Sequence, residues 1–84
     1  MERLIEIINS WDPIGLFPMA PKDEYFDEVS GIYEYLRNHE NVKTEDLAKA
    51  INIIFKNAFS ENIYIDNIDE CKKIAKKILN FREI

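Results

Sequence analysis

Residues 44–59 read TEDLAKAINIIFKNAF, and the spacing of their apolar side chains decides the fold class. Apolar residues recur every three or four positions, at Leu47, Ile51, Ile54 and Ala58. Because an α-helix has 3.6 residues per turn, these side chains share one face of a helix. The stretch therefore predicts an amphipathic helix that buries this face.

Three more stretches have the same periodicity, at about residues 1–10, 23–38 and 67–82. Residues 62–66 are prone to β structure but have no evident partner strand, so we expect an extended connector there. The sequence therefore predicts an all-α fold, a compact array of about four helices that forms a single domain over residues 1–84.

Side chains near the predicted helix starts support these boundaries. Thr44 is of a type favoured as an N-cap, and Asn67 followed by Glu70 resembles a capping box. The second predicted helix opens with acidic side chains, which the positive end of a helix dipole favours. These acidic residues are Asp23, Glu24, Asp27 and Glu28.

The charge balance and the cysteine content restrict the partners and the compartment. The net charge is −5; residues 1–46 carry 11 acidic and 4 basic side chains, and residues 47–84 carry 5 and 7. This balance disfavours nucleic acid as a partner, and the acidic first half favours a basic protein. No stretch approaches the length of a membrane span, and the N-terminus lacks the apolar run of a signal peptide. We therefore expect no membrane partner. The single cysteine, Cys71, excludes an internal disulfide, which fits a cytoplasmic protein.

The connector from Asp12 to Lys22 reads DPIGLFPMAPK and is mostly apolar, unlike an ordinary polar surface loop. It contains all three prolines of the chain, which lower the entropy lost when the loop adopts one shape. We therefore expect this loop to pack between the first and second helices. Trp11, the only tryptophan, is expected to anchor the loop, and the carboxylate of Asp12 to fix its first turn.

The residues around this loop resemble a known family. Residues 11–16 (WDPIGL), residues 20–25 (APKDEY) and Glu28 are similar to the YugE-like family, small proteins of unknown function from Bacillus and related bacteria. The resemblance covers about residues 11–32 and implies a small all-α domain with no established activity. Phe26 departs from an Asp-Glu-Tyr-Asp pattern associated with the relatives, so a carboxylate is missing at that position.

The candidate site combines the loop with the acidic start of the second helix. The residues expected to bind a partner or to anchor the loop are Trp11, Asp12, Pro13, Gly15, Leu16, Asp23, Glu24, Tyr25 and Glu28. An alternative interpretation is a small metal-dependent protein or enzyme that uses the hard oxygen ligands of Asp12, Asp23, Glu24 and Glu28. Acidic side chains at a helix start are common, so the helix dipole explains them more simply.

Side chains typical of catalysis are few. His39 lies in a polar stretch without a serine or cysteine motif nearby. Cys71 lies on the apolar face of the last predicted helix, where a cysteine is usually a buried core residue. There is no glycine-rich phosphate loop and no metal-binding cysteine pair, so we expect no catalytic residue, metal or cofactor. The leading interpretation is a non-catalytic protein-binding module, either an immunity-like protein or an adaptor.

Two further groups of side chains are assigned to the surface and to the core. The last predicted helix carries a solvated face of lysines with acidic residues one turn away: Lys72, Lys73, Lys76 and Lys77. The aromatic residues expected in the core are Trp11, Tyr25, Phe26, Tyr33, Phe55 and Phe59. Tyr35 and Tyr64 lie off the apolar stripes and are expected to be surface contacts.

Overall fold

Four α-helices make up the structure, a computed structural model that describes residues 2–60 and 62–82. They are α1 (Glu2–Trp11), α2 (Phe26–Asn38), α3 (Thr44–Ala58) and α4 (Ile68–Arg82). No strand occurs within these described ranges, and the prediction of an all-α fold is confirmed. None of the four helices combines the length and the apolar character needed to cross a membrane.

Each helix packs against its neighbours in the order α1, α2, α3, α4, and α4 closes the array by packing on α1. The contact between α3 and α4 is the most extensive. Every helix turns a stripe of aliphatic side chains inward, as the 3.6-residue period predicts. The buried apolar residues are Leu4, Ile8, Tyr25, Val29, Ile32, Leu36, Leu47, Ala48, Ile51, Phe55, Tyr64, Cys71, Ile74, Ala75 and Ile78.

Phe55 of α3 lies at the centre of the aromatic part of this core. The ring of Trp11, at the end of α1, meets it edge-on with ring centroids 5.3 Å apart. Tyr25 and Tyr64, from the two long connectors, bring their rings to 5.8 and 5.7 Å from it. Phe55 therefore ties both connectors to α3.

The start of α2 differs from the prediction. The helix begins at Phe26 instead of Asp23, because the preceding residues form consecutive turns. The Glu24 amide donates to the Pro21 carbonyl at 3.2 Å, and the Phe26 amide donates to the Asp23 carbonyl at 3.0 Å. These turns place the Tyr25 side chain against the loop. This is a tertiary contact, and helical periodicity cannot predict it.

The two predicted N-caps have different outcomes. Thr44 is the first residue of α3 instead of its cap, because the Leu47 amide donates to the carbonyl of Lys43 at 2.9 Å and so starts the helix one residue earlier. Asn67 does cap α4, since its side-chain oxygen accepts from the Glu70 amide at 3.2 Å.

Three aromatic residues also depart from their predicted positions. Phe26 and Tyr33 lie seven residues apart at the edge of the buried face of α2, and they are 50% and 41% exposed. Tyr64 is buried instead of exposed, because it enters the core from the connector between α3 and α4. Helical periodicity says nothing about a side chain outside a helix, so this position was mispredicted.

Candidate functional site

Asp12 organises the connector between α1 and α2. Its backbone is left-handed, with a φ of 47°, a conformation that aspartate adopts more readily than most residues. Its carboxylate accepts hydrogen bonds from the amides of Leu16 and Phe17 at 2.8 and 3.1 Å. It also accepts a hydrogen bond from the Tyr25 hydroxyl at 2.6 Å. One side chain therefore binds both the turn that follows it and the residue before α2.

Tyr25 provides the other half of this arrangement. It is buried, and its hydroxyl also accepts a hydrogen bond from the Ile14 amide at 3.3 Å. Its ring meets that of Phe17 edge-on, with centroids 5.7 Å apart. The hydroxyl thus holds the loop by polar contacts, while the ring holds it by apolar packing. We call the contact between Asp12 and Tyr25 the loop lock.

The first turn of the loop depends on Gly15. Its amide donates to the Asp12 carbonyl at 3.1 Å, and its φ is 65°, where a side chain would introduce strain. The side chains on either side of Gly15 pack against the core. These partly buried residues are Ile14, Leu16 and Phe17. The apolar composition of the loop is explained by this packing.

The loop lock changes the acidity of both its members. Burial raises the pKa of the Asp12 carboxyl, but hydrogen bonds from Tyr25, Leu16 and Phe17 outweigh burial and leave that pKa below its ordinary value. Burial and the hydrogen bond to Asp12 raise the pKa of the Tyr25 hydroxyl. Asp12 is therefore a carboxylate at neutral pH, and Tyr25 is a neutral donor.

Glu28 has an unusual environment for an acidic residue. It is buried in the third position of α2, and its Oε1 atom has no hydrogen-bond partner among the residues that the structure describes. Burial raises the pKa of its carboxyl, and the negative charges of Asp27 and Glu24 raise it further. The buried position of Glu28 therefore disfavours the charged form of its carboxyl group.

Two adjoining grooves lie where the loop meets α1. The larger, of about 770 Å³, runs between α1 and residues 17–22, and a second of about 240 Å³ continues to the start of α2. Asn9 lines both grooves and joins their walls, since its side-chain nitrogen donates to the Lys22 carbonyl at 2.9 Å. Apolar residues of these grooves form what we call the loop surface: Ile5, Phe17, Pro18, Ala20, Pro21 and Phe26.

The four carboxylates of the alternative interpretation do not form a metal site. No three His, Cys, Asp or Glu side chains in residues 2–60 and 62–82 are placed to hold a metal ion. Asp12 is hydrogen-bonded within the loop, and Glu28 is buried. Asp23 and Glu24 are exposed in the turns before α2, outside the helix that contains Glu28.

The predicted site residues therefore divide into two groups. The loop lock brings Asp12, Gly15, Leu16 and Tyr25 together. Trp11 is partly buried against Phe55, and Pro13 lines a cavity of about 300 Å³ beside Tyr64. Of the predicted site residues, Gly15, Asp23 and Glu24 are exposed, whereas Glu28 is buried. Asn9 and Phe17 were not predicted: Asn9 contacts Lys22, 13 residues away, and Phe17 contacts Asp12 and Tyr25.

A buried polar network on the α3–α4 side was also missed. The Tyr64 hydroxyl donates to the side-chain oxygen of Asn52 at 2.8 Å and lies 3.3 Å from the Cys71 sulfur. Asn52 in turn donates to the carboxylate of Asp66, which Lys56 also contacts at 3.3 Å. The signal in the sequence is Asn52, a polar residue inside the apolar run of α3.

Cys71 is buried in this network, as predicted. Burial raises the pKa of its thiol, and the charges of Asp66 and Glu70 add to this effect against the hydrogen bond with Tyr64. The thiol is therefore protonated and shielded from solvent.

The lysine side chains of α4 are all exposed, as expected for a solvated face. Lys73 contacts the Glu70 carboxylate at 3.5 Å, one turn away, in an exposed ion pair.

Comparison with known proteins gives a family without an assigned activity. A protein-family model described as a domain of unknown function, DUF1871, matches residues 3–84. No curated protein and no solved structure matches the chain. The geometry of the loop and its surroundings must therefore carry the functional argument.

Removal of the Tyr25 hydroxyl should destabilise the protein measurably. Tyr25→Phe is expected to lower the free energy of unfolding by about 1.5 kcal/mol, the lower end for a hydrogen bond to a charged group, because Asp12 is only partly buried. Tyr33→Phe, which removes a hydroxyl from a half-exposed ring, is the control and should cost less than about 0.5 kcal/mol. Urea unfolding at neutral pH measures both. Equal stability of the two variants at neutral pH would contradict the loop lock.

The stability difference between Tyr25→Phe and the parent protein should shrink in acid. Because folding lowers the pKa of Asp12, the stabilisation from its carboxylate is lost as pH falls through the pKa of the folded state.

Neutralising Glu28 should stabilise the protein at neutral pH. Because the pKa of Glu28 is raised by folding, this group stabilises below its unfolded pKa, and that stability is lost as pH rises through the folded value. Glu28→Gln should therefore melt higher than the parent protein at pH 7 and lose this advantage below about pH 4. Glu24→Gln, an exposed change on the same segment, is the control and should shift melting little. A lower melting temperature of Glu28→Gln at pH 7 would show that its charge is stabilising instead.

Proposed function

We propose that this chain, which belongs to the DUF1871 family, is a non-catalytic protein-binding module that binds a basic partner through the loop surface. An immunity-like protein or an adaptor of the bacterial cytoplasm, related to the YugE-like proteins, fits this role. The proposal rests on the structure of the connector between α1 and α2.

The observation that carries the proposal is an apolar loop held in one shape while part of it stays exposed. The loop lock fixes residues 12–25 at both ends. Met19, in the middle of the loop, is 93% exposed, and Phe26, which lines the smaller groove, is half-exposed. A rigid loop loses little entropy on binding, so exposed apolar side chains on it are well suited to recognition.

The charges around the loop surface indicate the chemistry of the partner. Glu6 and Asp23 line the grooves, and Glu24 and Asp27 are exposed on the segment that leads into α2. Lys22 is the basic residue of the grooves. Acidic side chains beside an apolar surface favour a partner segment that carries lysine or arginine next to apolar side chains.

The chemically versatile side chains of the chain support a binding role over catalysis. The Asp12 carboxylate is occupied by three hydrogen bonds within the loop. Burial raises the pKa of the Tyr25 hydroxyl and of the Cys71 thiol, which opposes the anionic form that a nucleophile needs. These groups have contacts within the fold, and the loop surface is the part that we assign to recognition.

Affinity capture from the native cells tests the proposal, followed by variants of the loop surface and of the exposed residues next to it in the sequence. A first variant combines Met19→Ser with Phe26→Ser, and a second combines Asp23→Asn with Glu24→Gln. The matched controls are Ile53→Ser, a half-exposed apolar side chain of α3, and Glu45→Gln, an exposed acid of the same helix. All four should fold, as circular dichroism checks, because the changed side chains are exposed.

The partner captured by the parent protein should be retained by both controls and lost with the first variant. The second variant should weaken the purified complex and reduce its dependence on salt, since it removes charges at the contact. Capture that is equal for the loop-surface variants and the controls would contradict the proposal, as would an acidic partner.

A further inference from the structure

A second concave site lies on another part of the bundle, between the start of α1 and the ends of α2 and α4. It is a half-open cavity of about 200 Å³. Its walls are formed by aliphatic side chains from the three helices: Leu4, Ile7, Leu36 and Ile78. Two aromatic rings, Tyr33 and Phe81, stand at its edges and are 41% and 47% exposed.

The size and the lining of this cavity restrict what fits inside. A cavity of about 150 Å³ lined by leucine, isoleucine and phenylalanine side chains is large enough to bind benzene. The present cavity is slightly larger and has the same kind of lining. It therefore suits one aromatic ring or an aliphatic chain of roughly six to eight carbons.

Two arginine side chains give the cavity a positive edge. Arg37 lines the cavity, and its guanidinium lies 6.0 Å from the centroid of the Tyr33 ring. The guanidinium of Arg3 lies 4.9 Å from the centroid of the Phe81 ring. Each cation is thus held beside one of the aromatic edges, where a guanidinium packs well on the ring face.

Arg37 forms only a weak, exposed ion pair within the protein. Its Nη1 atom lies 3.6 Å from the Glu34 carboxylate, and both side chains are mostly exposed. Exposed pairs of this kind contribute little, so a better-placed carboxylate can replace Glu34. Arginine binds carboxylates with two parallel hydrogen bonds, which makes it more specific for them than a lysine.

We propose that this cavity binds a small monocarboxylate, with its apolar part between the three helices and its carboxylate on Arg37. This ligand site is separate from the loop surface and does not depend on the proposed protein partner. A folded partner surface is a poorer fit. The exposed apolar rim consists mainly of two aromatic rings, whereas a stable protein interface covers about 800 Å² on each side.

Isothermal titration calorimetry with octanoate tests the proposal, with octan-1-ol and octylamine as probes that keep the chain and change the head group. Octanoate should bind with one site per chain. Octan-1-ol should bind at least about tenfold more weakly, because it lacks the charge-assisted hydrogen bonds to arginine. Octylamine should be weaker still, since it brings a positive charge to a positive edge.

Variants and methyl spectra locate the site. Arg37→Gln should weaken octanoate binding about tenfold, whereas Lys49→Gln, an exposed cation of α3, should leave it unchanged. Ile7→Phe should fill the cavity and abolish binding, with helicity checked by circular dichroism. Octanoate should shift the NMR methyl signals of Leu4, Ile7, Leu36 and Ile78.

Several results would overturn the proposal. One is the absence of binding at millimolar octanoate, and another is equal affinity for octanoate and octan-1-ol. Unchanged affinity of Arg37→Gln would exclude the carboxylate contact even if Ile7→Phe failed to fold, because the Arg37 side chain is largely exposed. Methyl shifts confined to Ile5 would move the ligand to the loop surface. A dimer in sedimentation that the Ile7→Phe change dissociates and that does not bind octanoate would show that a second copy of the chain covers the cavity.

Discussion

The Tyr25 hydroxyl donates a hydrogen bond to the Asp12 carboxylate across 13 residues of sequence, and this contact closes the connector between α1 and α2. An apolar connector of this length would otherwise expose its side chains in many conformations. The same carboxylate holds the amides of Leu16 and Phe17, so the turn and the entry to α2 are fixed together. The same loop lines the larger groove along α1 and carries Met19, which is 93% exposed.

Both long connectors of the fold use the same device, a buried tyrosine whose hydroxyl is satisfied by hydrogen bonds. Tyr25 contributes it before α2, and Tyr64 contributes it between α3 and α4, where Asn52 accepts the hydrogen bond. Both rings pack against Phe55. A tyrosine suits this task because its ring adds apolar burial while its hydroxyl fixes the position of the loop. The polar partners, Asp12 and Asn52, thereby determine which shape each connector adopts.

The sequence predicted the helices well because their signal is local, and it predicted the contacts between elements poorly because that signal is not. The spacing of Leu47 and Ile51 requires only the helical period, and the same period identified α1, α2 and α4. Tyr64 was expected on the surface because it lies off the apolar stripes. Its burial depends on Asn52 and Cys71, which come from two other elements, so the local pattern does not show it. The start of α2 was misplaced for a similar reason. Tyr25 is hydrogen-bonded to Asp12, and the helix begins after it, at Phe26, although Asp23 and Glu24 are residues typical of a helix start. At the candidate site, the sequence pointed to the loop and to Asp12 in its first turn, but the contact of Asp12 with Tyr25 and the exposure of Asp23 and Glu24 come from the structure.

Amide hydrogen exchange at Leu16 and Phe17 tests most directly whether the loop is held by Asp12 and Tyr25. Both amides donate to the Asp12 carboxylate, in a connector that belongs to no helix. If the loop lock is as tight as the structure shows, these two amides exchange as slowly as those in the middle of α2. Exchange of both amides at the rate of an unstructured peptide, while the helices remain protected, would contradict this account.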